Sequence, residues 1–486
     1  MRPLLLLFVS FISFNALFAQ STIQKKIDAL ASHPDLVHGQ LSVALIDLTT
    51  NQLIAGHRAD KTMIPASSLK VLITGIALKK LGKDYRFKTE LAYDGDITAD
   101  GTLKGNLIIR GYGDPTLGSH HFAKAETHDI VLKKWTNAIK KAGIKKIEGY
   151  IIGDASYFST QVAGRTWLWE DLGNYYGAGA WGLNFHENLY LLDLKQNSKF
   201  GATPPVLSVR PTVPNLRLVN ELTQAERGSG DNAYIFGASY GTTRFIRGTI
   251  PVGSGTFTIK GSIPDPPFFA AFQLMQNLEK LGIETSQRAA SLYQLEQEGI
   301  SIEKTNLIDT YYSPSLDKIV KETNLKSVNL YCEALLRLLG KIEKGDAHPS
   351  QGLEVILDYL KNSGLPTAGL FLADASGLSP RNSVSARHLA AYLSFLKTQD
   401  DIFPDFKSSL PVGGKSGALK YLFRGTIGEN KVFAKSGGMD RVRSYSGYVQ
   451  NKRGKWLSFS IIANNFTGKS ATMRKEMEKL MLAFCQ

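Results

Sequence analysis

The segment Pro65-Ala66-Ser67-Ser68-Leu69-Lys70 opens into Val71-Leu72-Ile73-Thr74-Gly75-Ile76-Ala77-Leu78 and closes on Lys79-Lys80-Leu81-Gly82. A small polar start, a basic last turn and a glycine stop mark a helix. Its apolar residues leave little polar face, so the helix has to be central and buried. Whatever this chain folds into must supply cover for it. Ser67 falls at the helix start, where unpaired backbone N–H groups and the helix dipole favour developing negative charge. Lys70 projects from the same face about one turn on. A hydroxyl and an amine held that close, with water excluded, can serve as nucleophile and general base.

Ser-x-x-Lys is a weak pattern by itself. It occurs at Ser67/Lys70, Ser301/Lys304, Ser315/Lys318 and Ser394/Lys397, and its usual explanation is a capping serine followed by a solvated lysine. The first copy alone leads directly into a long apolar helix, and it needs partners from elsewhere.

At 486 residues the chain exceeds one typical core, which implies two or more domains. Met1-Arg2 followed by Leu4-Leu5-Leu6-Leu7-Phe8-Val9 and an apolar run to Ala19 has the form of a secretory signal peptide, residues 1–19. Leu17 at the −3 position is larger than usual for cleavage there. No later stretch approaches the roughly 18 to 20 apolar residues of a membrane span, so the mature chain is expected to be exported, periplasmic and soluble. Two cysteines, Cys332 and Cys485, make no disulfide framework. Cys332 reads as a buried thiol, with a single bridge between the two as the alternative in an oxidising compartment. The net charge of +14 is spread along the chain and fits general affinity for an anionic surface. No nucleic-acid module or concentrated basic arm accompanies it. The nine histidines form no metal-ligand spacing. His120 and His121 are adjacent, which places them poorly for one ion, so neither a metal nor another cofactor is expected.

Leu41 to Leu48 and Leu53 to Gly56 read as a hairpin around Thr49-Thr50-Asn51-Gln52, after a short amphipathic helix at Ile23 to Leu30. From about residue 91 to about 265 the texture changes to short glycine-bounded strands such as Asn106 to Arg110 and Tyr150 to Ile152, with Ile130 to Ala142 as one of few helices. Helical periodicity resumes at Phe268 to Gly282, Ser315 to Glu322, Val328 to Leu339 and Gly352 to Leu360. Near the end come Lys431 to Ala434, Ser446 to Gln450, Trp456 to Asn464 and a closing helix at Ala471 to Phe484. Strands and a helix at each end imply one sheet built from both termini. The fold class is α+β: an antiparallel sheet with helices on both sides, residues 20–90 plus 266–486, interrupted by a large β-rich insertion at 91–265.

Two further groups stand out. Ser327-Val328-Asn329 heads the Leu330 to Leu339 helix, where an N-cap would justify the serine. Lys435-Ser436-Gly437, followed by Gly438, continues the apolar strand Val432-Phe433-Ala434. Such a sequence on a strand suits a carboxylate-ended substrate lying alongside, held by main-chain pairing and by the Lys435 charge. Lys415-Ser416-Gly417 is a rival copy among Pro411, Gly413 and Gly414, and reads as loop.

Ser-x-x-Lys, Ser-x-Asn and Lys-Ser-Gly, in that order on helix start, helix start and strand, resemble the penicillin-binding proteins and serine β-lactamases. The chain is similar in particular to the class C low-molecular-mass penicillin-binding proteins, the D-alanyl-D-alanine carboxypeptidase/endopeptidase family. The likeness extends through Gly113-Asp114-Pro115-Thr116-Leu117, Gly153-Asp154-Ala155-Ser156-Tyr157-Phe158, Asp374-Ala375-Ser376-Gly377-Leu378-Ser379 and Leu410-Pro411-Val412. The long interval between Ser67 and Ser327 also fits, since this family carries a large insertion there and compact β-lactamases do not.

The resemblance implies a β-lactamase-like transpeptidase fold and a serine DD-peptidase acting on peptidoglycan stem peptides, with β-lactams as acylating inhibitors. Ser67 would attack the carbonyl of the penultimate D-alanine. Lys70 would take its proton, kept neutral by the nearby Lys435 charge. Ser327 would relay the proton to the leaving D-alanine, and Asn329 would hold Lys70 and the substrate amide. Lys435 and Ser436 would bind the terminal carboxylate, with Gly437 alongside, and the backbone N–H groups of Ser67 and Gly438 would form the oxyanion hole. Asp154 matches a region that in relatives reaches toward the free amino end of the peptide, although an Asx turn explains it as well. The family usually has threonine where Ser436 stands, and often another threonine where Gly438 stands.

Two readings compete. Gly237-Ala238-Ser239-Tyr240-Gly241 fits the Gly-x-Ser-x-Gly nucleophile elbow of esterases, but the next segment, Thr242 to Pro251, is strand-like where that fold needs a helix. The other is a wall-binding protein without turnover. The balance of carboxypeptidase and endopeptidase activity stays open, because both use the same acyl-enzyme.

Overall fold

In the computed structural model, residues 22–122, 127–302 and 304–486 are described. The expected signal peptide, residues 1–19, lies outside them. The chain packs as two compact units. The first comprises the chain up to Lys83, Val320–Val328 and Leu353–Gln486; the second comprises Asp84–Ile319 and Asn329–Gly352.

The first unit is built on a five-stranded antiparallel sheet whose order is Gln52–His57, Gln40–Asp47, Trp456–Asn464, Val442–Gln450, Val432–Met439. The two ends of the chain meet at its centre, where Gln40 pairs with Asn464 and Asp47 with Leu457. Alternation along the strands sends Val43, Leu45, Phe459 and Ile461 to one face, against Ile27 and Leu30 of the helix at residues 22–31 and Met473, Met477 and Phe484 of the helix Ser470–Phe484. Ala44 and Ile46 point the other way, onto Ala386 and Ala390 of the helix Ala386–Lys397. Sequence periodicity did not single out that helix. On its outer side runs Lys70–Leu81, the apolar helix of the first Ser-x-x-Lys motif. Lys70 to Leu78 are all buried. Its middle glycine has a steric reason: a Cβ at Gly75 would collide with the Tyr392 hydroxyl and approach Leu396 Cδ1 to 2.9 Å. The two helices are close enough for Tyr392 to donate to the Leu72 carbonyl at 3.2 Å.

The second unit carries several smaller sheets. The largest runs Ala289–Ser291, Ile151–Asp154, Leu107–Gly111, Lys88–Tyr93, Asn306–Tyr312. Helices His128–Lys141 and Pro266–Lys280 pack into its core through Trp135, Ile139, Phe269 and Leu274. The packing division thus runs at 83/84 and 319/320, while the sequence reading places the insertion at 91–265. The difference arises because Asn306–Tyr312 pairs along the whole of Lys88–Tyr93. The helix Asn329–Lys344 also belongs to this unit, where the buried Arg337 guanidinium donates to the Gln161 carbonyl and, at 3.2 Å, to Ser159 Oγ. Cys332 and Cys485 are both buried, and no disulfide joins them. No helix among the described residues is long and apolar enough to cross a membrane.

Candidate active site

Ser67 stands in a single 3-10 turn, Ala66–Leu69, that runs straight into the Lys70–Leu81 helix. Ala66 before it has φ of +47°, a left-handed conformation costly for a residue with a Cβ. The turn is clamped from two sides. Gly377 approaches so closely that a Cβ there would strike the Ala66 carbonyl, and Ser444 Oγ donates to the Pro65 carbonyl at 2.5 Å. Ser67 remains partly exposed at the surface of this clamp.

Lys70 is fully buried, and its Nζ donates to Ser67 Oγ at 3.0 Å. It also donates to the Ser376 carbonyl at 2.5 Å. That carbonyl belongs to a loop rigidified by one carboxylate. Asp374 accepts from the backbone of Gly377 at 2.8 Å and of Ser379 at 2.6 Å, and from Asn382 Nδ2 at 2.7 Å. The Asp374-Ala375-Ser376-Gly377 motif thus places an acceptor against Lys70, a role that sequence reasoning did not assign.

Lys435 is buried as well, on the edge strand Val432–Met439, and donates to Ser327 Oγ at 2.9 Å. Ser327, at φ of +62°, lies between Leu316–Lys326 and Asn329–Lys344. The outer edge of the Lys435 strand is covered as far as Ala434, where Gly413 N–H donates to the Val432 carbonyl at 2.8 Å and Ala434 N–H to the Pro411 carbonyl at 3.0 Å. Backbone groups of one parity in a strand share a direction. Those of Ser436 and Gly438 therefore face the same outer edge as Val432 and Ala434, while Lys435 and Gly437 pair inward with Ser446 and Ser444. Gly437 must lack a side chain, because a Cβ would come within 2.6 Å of the Pro65 carbonyl and 2.8 Å of Ser68 N. This is how the strand is seated against the Ser67 turn.

The remaining candidates lie in the second unit. Asn329 Nδ2 donates to the Tyr176 carbonyl at 2.8 Å. The Tyr176 hydroxyl is bonded to Asp171, whose carboxyl burial pushes up to about 6. Asp154 accepts from Arg110 Nε at 2.8 Å through one oxygen and from Ser156 N–H at 2.9 Å through the other. Both halves of its carboxylate are thus engaged, and the Asx turn is present.

The rival motifs are placed differently. Ser394 is buried in mid-helix with its hydroxyl on Asn51 Oδ1 at 2.8 Å, and Ser315 bonds to Asp317. Ser239 lies in a turn whose carbonyls, Ala238 and Gly241, accept from the buried Arg244 guanidinium at 3.2 and 2.5 Å. The strand Thr243–Pro251 comes directly after it, so no elbow forms.

A hydroxyl bonded to a buried amine, beside a strand edge with outward N–H groups that no other described strand pairs, is equipped for acyl transfer. On an antiparallel sheet with helices on both faces, that chemistry defines the class of penicillin-recognising serine hydrolases. The chain belongs to the D-Ala-D-Ala carboxypeptidase 3 (S13) family, whose model matches residues 23–484. It is a serine-type D-Ala-D-Ala carboxypeptidase and a low-molecular-mass class C penicillin-binding protein. It is 25% identical over 426 residues to the D-alanyl-D-alanine carboxypeptidase DacB of Haemophilus influenzae, covering 87% of this chain and 84% of the relative. It is 27% identical over 469 residues to a D-alanyl-D-alanine carboxypeptidase of Actinomadura sp., covering 92% and 81%. The crystal structure of penicillin binding protein 4 from Haemophilus influenzae superposes with a TM-score of 0.78 at 23% identity, over 96% of this chain and 97% of that one.

Proposed function

We propose that this chain is an exported peptidase that cleaves the terminal D-Ala-D-Ala bond of peptidoglycan stem peptides, and D-alanine crosslinks, through an acyl-enzyme on Ser67. The bond from Lys70 Nζ to Ser67 Oγ carries the reading. Lys70 takes the Ser67 proton as Oγ attacks the carbonyl carbon of the penultimate D-alanine. The developing oxyanion is stabilised by the N–H groups of Ser67 and Gly438, the latter on the outward-facing parity of the edge strand. When the C–N bond breaks, the proton passes through Ser327 to the leaving amine. Lys435, bonded to Ser327, and Ser436 receive the terminal carboxylate. Gly437 lets the strand approach the Ser67 turn. Water then attacks the ester carbonyl and frees Ser67. β-Lactams mimic the substrate and acylate the same oxygen; penicillin binding protein 4 of Haemophilus influenzae has been crystallised in complex with a β-lactam. The first unit is the peptidase domain in this reading, and the signal-peptide-like start delivers it to the periplasm.

Labelling with a fluorescent penicillin tests the nucleophile. Ser67→Ala is expected to abolish labelling and D-alanine release, a loss of at least about 10³-fold, while Ser239→Ala leaves both unchanged. Labelling that survives in folded Ser67→Ala would overturn the assignment. Digestion of purified muropeptides, with products weighed by mass spectrometry, apportions terminal against crosslink cleavage.

A further inference from the structure

His120, His121 and Glu187 form the one cluster of three metal-ligand side chains among the described residues, with a donor atom from each within 4.8 Å of the others. We propose that these residues bind a single zinc ion in the second unit. Sequence spacing argued against adjacent histidines sharing an ion, but the turn they occupy answers that objection. The two rings lie side by side, centroids 4.2 Å apart, and present different nitrogens to one carboxylate. His120 Nδ1 is 3.4 Å from Glu187 Oε1, and His121 Nε2 is 3.4 Å from Glu187 Oε2. Both separations exceed the roughly 2.7–3.2 Å of an N–H···O hydrogen bond. Each matches the spacing of a histidine nitrogen and a carboxylate oxygen on one ion instead, since donors about 2.0–2.1 Å from a zinc stand about 3.4 Å apart, and the carboxylate turns one oxygen to each ring.

The surroundings are those of a ligand set held in place. Glu187 is 5% exposed, and its Oε1 accepts from Ser119 Oγ and from the Tyr331 hydroxyl at 3.3 Å. Ser119 Oγ also lies 3.0 Å from that hydroxyl and accepts from His121 N–H at 3.0 Å. Such outer partners fix the direction of a coordinating carboxylate. Glu187 is carried on three consecutive left-handed residues, His186, Glu187 and Asn188, with φ of 54°, 55° and 53°. The Asn188 side chain fastens that turn by accepting from Phe185 N–H at 3.1 Å and donating to the Gly179 carbonyl at 3.1 Å. His120 keeps 46% of its side chain in solvent, which leaves a way in for the ion. Tyr331 sits on the helix that begins at Asn329, so the ion would brace the start of that helix through Glu187.

The test uses the purified chain, stripped with a chelator and equilibrated by dialysis against zinc chloride, with bound metal counted by mass spectrometry. One zinc per chain is expected. His120→Ala and Glu187→Gln should each weaken binding at least about tenfold, His120→Ala/His121→Ala should abolish it, and Tyr331→Phe should weaken it about tenfold. His38→Ala, an exposed histidine of the first unit, should change nothing. Cobalt(II) in place of zinc should give the visible absorption of a tetrahedral N/O site in the parent chain and not in the double variant. Circular dichroism of each variant reports folding, and half-exposed His120 is the substitution least able to disturb it. Failure of the parent chain to retain zinc at micromolar free metal, or unchanged binding in the double variant, overturns the proposal. The outcome is independent of penicillin labelling at Ser67.

Discussion

The chain writes Lys-Ser-Gly twice in its first unit, and the two copies share nothing but composition. Lys435-Ser436-Gly437 lies in the edge strand of a five-stranded sheet, with the lysine buried on Ser327 and the glycine pressed against the Ser67 turn. Lys415-Ser416-Gly417 closes a tight loop. Ser416 Oγ accepts from Val412 N–H at 3.0 Å, Gly417 takes φ of +53°, and a short 3-10 turn runs over Gly417–Leu419. In the first triplet each residue is constrained by what stands opposite; in the second each serves the loop's own backbone. A strand edge turns a tripeptide into a binding surface, because alternate residues are forced to present side chain and main chain to different partners.

The largest separation between the copies is expected from their lysines. Lys435→Ala removes the charge that would meet a substrate carboxylate and leaves Ser327 Oγ without that donor. Acylation by a fluorescent penicillin and D-alanine release should both fall by about 10²-fold, the scale of losing one well-placed stabilising group. Lys415→Ala should leave both within about twofold. Stopped labelling time courses on the two variants decide the matter, and equal effects would erase the distinction between strand and loop.

The glycines separate next, and in kind as much as in size. Gly437→Ala drives a Cβ to 2.6 Å from the Pro65 carbonyl and 2.8 Å from Ser68 N, so the strand must shift from the Ser67 turn. Overpacking of this sort costs about 1–3 kcal/mol, and acylation should slow by about tenfold because the shift falls on Ser67, the proposed nucleophile. Gly417→Ala meets a backbone penalty of about 1 kcal/mol or somewhat more, with its Cβ also crowded to 2.9 Å from the Pro411 side chain, at a distance from the Ser67 turn's own contacts. It should lower the melting temperature without slowing acylation. A Gly437→Ala enzyme that loses stability but acylates at the parent rate would show that the close approach is mere packing.

The same contrast shows which features a residue string can reveal. The Ser67 helix was legible because its apolar residues cover every face, and Lys435 because Val432-Phe433-Ala434 announces a strand. The meeting of both chain ends in one sheet was implied by strand patterns at each end. The Ser376 carbonyl was not legible, since a backbone acceptor has no residue identity and Lys70 reaches it across 306 positions. The left-handed Ala66 and Ser327 were hidden for a related reason: nothing in the residue type announces that conformation, and at Ala66 tertiary contacts hold it against the residue's own preference. The helix Ala386–Lys397 did carry a signal, Ser385 ahead of Leu389, Tyr392, Leu393 and Leu396, with the serine hydroxyl accepting from His388 N–H at 3.1 Å. Glu187 could not be joined to His120 and His121 from spacing, because the left-handed turn that delivers it is invisible in composition.

The smallest effect is expected at Ser416, and it tests whether the loop copy is wholly passive. Its hydroxyl holds Val412 N–H, and Val412 lies between Pro411 and Gly413, the two residues that bond to the Lys435 strand at Ala434 and Val432. Ser416→Ala removes one neutral hydrogen bond to a backbone donor, a loss of about 1 kcal/mol, or somewhat more if that donor is left buried and unmet. The loop segment is still tied down by Lys415 N–H and Ser416 N–H, which donate to the Val412 carbonyl at 3.0 and 3.1 Å. The strand edge should therefore keep its place, and labelling by penicillin should remain within about twofold of the parent while the melting temperature drops slightly. A fall in labelling comparable to that of Gly437→Ala would mean that the loop copy works through the strand copy. The strip of edge ending at Ala434 would then be what sets the register of Ser436 and Gly438.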